Sequence, residues 1–378
     1  MAANTLQQMF EHGQSPWIDN ITRGMLQTGE LQRLVDQGIV GLTSNPTIFQ
    51  KAISGGAEYD AALQALGRAG KTVEEIYDAL VLEDLGNAVR ILRPVYDRTN
   101  GGDGFASLEV LPELAHETAK SISEGLRYFA FLNAPNLMIK IPGTAEGVPA
   151  IRKLISEGVN VNVTLLFSLE SYQAIAGAYI EGLEDRAQAG KPLHNISSVA
   201  SFFVSRVDTA VDALLDQKAK DDSARAAEYQ ALRGKAAIAN AKLAYADVYE
   251  HLFNGPRWEA LAAKGARRQR PLWASTSTKN PAYRDVLYVE ELIGPDTVDT
   301  MPPGTITDFL DHGRVRDSLQ EDVEGARDML RRLKAAGIDM VEVTRKLQDD
   351  GVASFSKSFT DLMTTISGKC QEVLAHAG

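Results

Sequence analysis

The sequence predicts an α/β fold: a closed (β/α)8 TIM-type barrel with additional helices. Three observations point there. Short β-branched or aromatic runs recur along the chain, with helical stretches between them, and this alternation implies parallel pairing because parallel neighbours need a crossover. No G-x-G-x-x-G follows the first strand and no G-x-x-x-x-G-K-[ST] occurs anywhere, which disfavours an open nucleotide-binding sheet. Several runs also place one polar residue near their C-terminal end, where barrel enzymes assemble their active sites.

Taken in order, the strand runs are SPWIDNIT (15–22), GIVGLTSN (38–45), FASLEVL (105–111), LMIKIPG (137–143), VNVTLLFS (161–168), SSVASFFV (197–204), RPLWASTS (270–277) and DTVDTMP (296–302). Each is short and bounded by turn residues. NGGDG (100–104) marks the turn before the third run. LPELAHETAKSISEGLRYFAFLN and EGVPAIRKLISEG carry apolar residues at helical spacing. An alanine-rich stretch reads as one long helix from Asp222 to Asn254, opened by Asp222 and Ser223 and closed by Asn254, Gly255 and Pro256. From Ile306 onward the pattern is purely helical. A barrel uses about 250 residues. The expectation is therefore a single barrel domain over 1–378, with a helical insertion at about 208–269 and a helical C-terminal segment at about 306–378. The long helix is expected to cover the barrel rather than to mediate self-association.

Composition narrows the function. The 378 residues are 44% hydrophobic and 24% charged, ordinary for a globular protein. The net charge of -11 argues against non-specific binding to nucleic acid or an anionic membrane. Any phosphate must then be held by a few local cations. One cysteine, Cys370, excludes an intrachain disulfide and fits a cytoplasmic location. No apolar run is long enough to span a bilayer, and the first residues lack a signal-peptide pattern. His12, His116, His194, His251, His312 and His376 show no metal-ligand spacing, so no metal is expected. The expected assembly is a monomer or homodimer.

The polar residues inside the strands carry the chemistry. Side chains alternate along a strand, so Leu137, Ile139 and Ile141 share one face and Met138 and Lys140 the other. The greasier face meets the helices, which aims Lys140 into the barrel. Asn162 and Thr164 share a face in the next run, and Asp19, Asn45, Glu109 and Ser201 sit in or at the end of others. Singly, each has a plain structural reading. A strand lysine can snorkel to solvent, and a strand-end Asp or Asn commonly caps a turn or helix. IPGTAEG reads as a strand-to-helix turn rather than a phosphate loop. Together, an inward lysine, two acids and several amides and hydroxyls suggest imine chemistry. Burial disfavours an ammonium, and a neutral amine attacks a ketone. The iminium accepts electrons as a neighbouring carbon–carbon bond breaks. That step needs a base for the leaving hydroxyl proton, for which Asp19 is placed, and a water, which Glu109 and Thr164 would hold. A pyridoxal phosphate enzyme and a catalytically silent barrel that binds sugar phosphates or a partner protein remain open.

The motifs GLTSNPTIFQKAI, LMIKIPGTAEGVPAIRKL, VNVTLLFSLESYQAI and SVASFFVSRVD resemble, in order, those of transaldolases, and the length resembles the longer branch of that family. The resemblance implies a cofactor-free barrel of the pentose phosphate pathway. It implies transfer of a dihydroxyacetone unit, so that sedoheptulose 7-phosphate and glyceraldehyde 3-phosphate give erythrose 4-phosphate and fructose 6-phosphate. It makes Lys140 the Schiff-base lysine, Asp19 the acid/base, and Glu109 with Thr164 the holders of the catalytic water. Asn45, Asn162 and Ser201 would bind the dihydroxyacetone hydroxyls, and Arg206 the phosphate. Two positions depart from the short members. Lys279 stands where they carry arginine, giving a point charge without a bidentate fork, and Phe202 stands where they have proline. Ser277 would assist Lys279. Fructose 6-phosphate aldolases, which resemble this chain less, have an amide for Glu109 and a tyrosine for Phe203.

Overall fold

The computed structural model describes residues 3–375; His376 lies outside them. Its centre is a closed barrel of parallel strands: β1 (Gln14–Asp19), β2 (Gly41–Thr43), β3 (Ala106–Glu109), β4 (Leu137–Pro142), β5 (Val161–Leu166), β6 (Ser198–Phe203), β7 (Arg270–Ala274) and β8 (Thr297–Met301). Each strand pairs with its successor, and β8 closes on β1. All eight expected runs are strands, because helices cover the outer face and side chains fill the inner one. Every strand residue is buried except the two at opposite rims, Asp19 and Arg270.

The N-terminal end of the barrel is plugged. The Trp17 indole crosses the interior against its register partner Gly41, where a Cβ would lie 2.3 Å from the ring. Trp17 Nε1 and Ser15 Oγ donate to the Asp103 carboxylate at 3.0 and 2.8 Å, and Arg270 pairs with the same acid at 3.0 Å. The plug separates the barrel interior from the shallow pocket that Asp103 and Arg270 line at this end, and the larger cavity lies at the C-terminal end.

One strand is irregular. Val163 pairs with Ala200 but Leu166 with Phe202, so two residues of β5 oppose one of β6. Leu165 takes up the surplus with φ +61°, a left-handed conformation costly for a branched side chain. The Met340–Ala375 helix braces this bulge: Gln348 donates to the carbonyls of Gly143 and Leu165 at 2.9 and 3.1 Å. The same helix packs on the Pro46–Gly55 helix, where Thr47 bonds Ser358 at 2.8 Å.

Two sequence expectations need correction. The long helix from Asp222 to Asn254 is broken. A helix at Ala226–Leu232 stops at Arg233, and a second runs from Ala236 to Leu243 before a π-helical stretch, Ala244–Tyr249. The break is Gly234, at φ +67°, whose missing Cβ makes room for the Tyr283 ring 2.7 Å away. Helical spacing continues across the glycine, so periodicity alone does not show the break. This segment packs on the flank, against the Ser205–Asp221 and Val323–Ala335 helices, and none of its residues lines the main cavity. The Met340–Ala375 helix covers the barrel mouth instead. After Ile306 the elements among the described residues are helices alone, as expected: Pro303–His312, Val323–Ala335 and Met340–Ala375, with a connection at 313–322. No helix of the described residues is long and apolar enough to cross a membrane.

Candidate active site

A cavity of about 590 Å³ opens at the C-terminal end of the strands. Lys140 rises from β4 into its floor. The residue is 4% exposed, because β3 and β5 flank it and the Phe355 ring stands 5.8 Å from Nζ. Register places Glu109 and Asn162 beside it on the two neighbouring strands. Lys140 Nζ lies 3.1 Å from Glu109 Oε2 and donates to the Ser44 carbonyl at 3.1 Å. Burial pushes the Glu109 carboxyl above its ordinary range; Lys140 pulls it down, and Asp19 adds to the rise.

Asp19 ends β1 on the same inner face. Its Oδ1 accepts from Thr43 Oγ1 at 2.7 Å, and that hydroxyl also lies 2.7 Å from Thr300 Oγ1. Burial raises this carboxyl too, opposed by Lys140, the Thr43 hydrogen bond, Lys279 and Arg206. Thr164, beside the β5 bulge, is fully buried; its Oγ1 and Glu109 Oε1 have no hydrogen-bond partner among the described residues.

The structure thus brings Lys140, Asp19, Thr164, Asn45, Ser201, Phe203, Arg206 and Lys279 to one cavity wall, with Glu109 directly behind Lys140. Two expected residues sit differently. Asn162 lies below the wall, where it donates to Ser107 Oγ at 3.0 Å and accepts from Ser201 Oγ at 2.7 Å. Its reach is to Ser201, which does face the cavity. Asn45 both lines the cavity and caps the Pro46–Gly55 helix, accepting from the Ile48 amide at 3.0 Å. Phe202 points outward, edge-on to Trp273. Sequence reasoning missed Thr43, Thr300, Lys51 and Phe355. The alternation rule finds Thr43 and Thr300 once the barrel is assumed; Phe355 carries no local signal, because its place depends on how a distant helix docks.

The mouth is cationic. Arg206 stacks 5.2 Å from the Phe203 ring, and Lys279 Nζ donates to Ser277 Oγ at 2.6 Å.

The Transaldolase/Fructose-6-phosphate aldolase family model matches residues 16–366. The chain belongs to that family. It is 48% identical to a transaldolase of Trichodesmium erythraeum, over 99% of both chains. It is 50% identical to a transaldolase 2 of Nostoc punctiforme, over 98% of both, and 46% identical to a transaldolase of Thermobifida fusca, over 98% of this chain and 99% of the other. These matches run through the helices between β6 and β7 and through the C-terminal helix, so both additions to the barrel are shared with those relatives.

Proposed function

We propose that this chain is a transaldolase, moving a dihydroxyacetone unit from a ketose phosphate to an aldose phosphate through a Schiff base on Lys140. The observation that carries the reading is one amine, buried at the cavity floor, with a carboxylate at 3.1 Å and a second carboxylate on the same wall.

The steps follow from the groups present. The amine attacks as the free base, and Glu109, its proton affinity raised by burial, stands ready to take the proton. Attack on the ketose C2 carbonyl gives a carbinolamine, which loses water to form the iminium. Asp19 accepts the C4 hydroxyl proton while the C3–C4 electron pair flows into the iminium, leaving an enamine and releasing the first aldose. The enamine carbon then attacks the acceptor aldehyde as Asp19 returns the proton. Hydrolysis of the new imine needs a held water, and the unpartnered Glu109 and Thr164 oxygens suit one. Ser201, oriented by Asn162, and Asn45 face the dihydroxyacetone hydroxyls; Phe203 walls the cavity. Arg206, Lys279 and Ser277 receive the phosphate. A cytoplasmic setting suits the lone thiol, Cys370.

Borohydride reduction in the presence of fructose 6-phosphate should attach a three-carbon unit to Lys140, and Lys140→Ala should abolish the label. Equal labelling of the variant would overturn the assignment. Fast multiple turnover of fructose 6-phosphate to free dihydroxyacetone without acceptor would replace the transferase by an aldolase.

A further inference from the structure

We propose that Lys51 is a third ligand of the substrate phosphate, acting from the opposite side of the mouth to Arg206 and Lys279. This rests on the transaldolase reading. Thr47, Ile48, Lys51 and Ala52 all line the cavity, a spacing that puts one face of the Pro46–Gly55 helix against it. Asn45, which caps that helix, fixes where the face begins. Lys51 stands one turn farther along than Thr47 and is exposed at the rim.

The electrostatics ask for an anion. No carboxylate of the described residues forms an ion pair with Lys51, Arg206 or Lys279, although this chain has a net charge of -11 and pairs most of its other cavity-side and surface cations. Lys279 is held below the usual lysine range by partial burial, then by Arg206 and, more weakly, by Lys51, with Asp19 opposing. Lys279 repelled by Arg206 and by Lys51 at one opening is a standing cost. A phosphate monoester, with about 1.5 to 2 negative charges at pH 7, removes it. The residue types suit the task. Arg206 is held against Phe203 and gives a fixed fork, whereas a lysine on a flexible stem can follow a phosphate whose distance from C2 changes with sugar length.

The test uses Lys51→Met and Lys51→Arg, read by kinetics with fructose 6-phosphate and erythrose 4-phosphate and by calorimetric titration with inorganic phosphate. The methionine variant should raise KM for both sugars and Kd for inorganic phosphate by about three- to tenfold, with kcat unchanged and borohydride labelling of Lys140 retained. The arginine variant should restore both constants. Unchanged KM and Kd in Lys51→Met would overturn the proposal, as would an equal loss with unphosphorylated fructose as donor. If the wild-type chain gave neither transfer nor adduct, the transaldolase reading would fall, while the phosphate titration would still decide the role of Lys51.

Discussion

Asp299→Asn should change stability in a pH-dependent way, and the structure sets the size. Asp299 sits in the middle of β8 with its side chain outside the barrel, beneath the covering helices. Its Oδ1 accepts from Thr276 Oγ1 at 2.8 Å, while Oδ2 is buried without a partner among the described residues. Burial pushes the carboxyl from 3.8 up to about 7, the Thr276 hydrogen bond opposing. Between those values the unfolded chain has lost this proton and the folded chain keeps it. Stability from this group is therefore full below pH 3.8 and is lost as pH rises to about 7, after which the loss is constant. At about 1.4 kcal/mol per pH unit the loss totals about 4 kcal/mol. Asparagine keeps the acceptor for Thr276 and carries no charge at any pH. Its unpartnered amide adds a fixed cost of about 1–3 kcal/mol. Hence the stability of the variant relative to wild type should climb by about 4 kcal/mol from pH 4 to pH 8, whatever its offset. Urea denaturation followed by fluorescence of Trp17, Trp258 and Trp273 measures this. A difference that stays flat across that range would refute the argument.

Tyr283→Phe should loosen the loop that carries Ser277 and Lys279. The Tyr283 hydroxyl donates to Asp212 at 2.6 Å, and Asp212 also accepts from the Gly234 amide at 3.0 Å; a rise of about threefold or more in KM for phosphorylated sugars, with unphosphorylated fructose unaffected, is the expected kinetic result. Phe355→Ala should cost about 3 kcal/mol in denaturation, since the ring is 5% exposed, and should admit water above Lys140. Free dihydroxyacetone would then accumulate relative to transferred product, and an unchanged product ratio would count against Phe355 as a shield.

The barrel was legible because its evidence is local. Each strand run is β-branched or aromatic, bounded by turns and of the right length, and Asn45 before Pro46 reads as a turn or helix cap without distant information. Lys140 was legible for a related reason: alternation within five residues fixes which face it takes. The register that sets Glu109 beside Lys140 was only implied, because it depends on pairing between strands. What the pattern did not carry was everything set by docking. The helix break at Gly234 is imposed by a tyrosine forty-nine residues away, the Leu165 bulge by its brace on Gln348, and the roof over Lys140 by Phe355. Asn162 illustrates the middle case: its face was foreseen, and its depth was not, because depth depends on how far up the barrel Ser201 stands.

The plug of Trp17, Asp103 and Arg270 has a consequence for traffic. A vessel stoppered at its base has one doorway, and every sugar must use it in turn. The first aldose has to leave before the second can come in, while the three-carbon fragment waits, tethered, inside. A closed base together with a fragment held on Lys140 predicts alternating departure and arrival, and parallel-line double-reciprocal plots would be the signature at the bench.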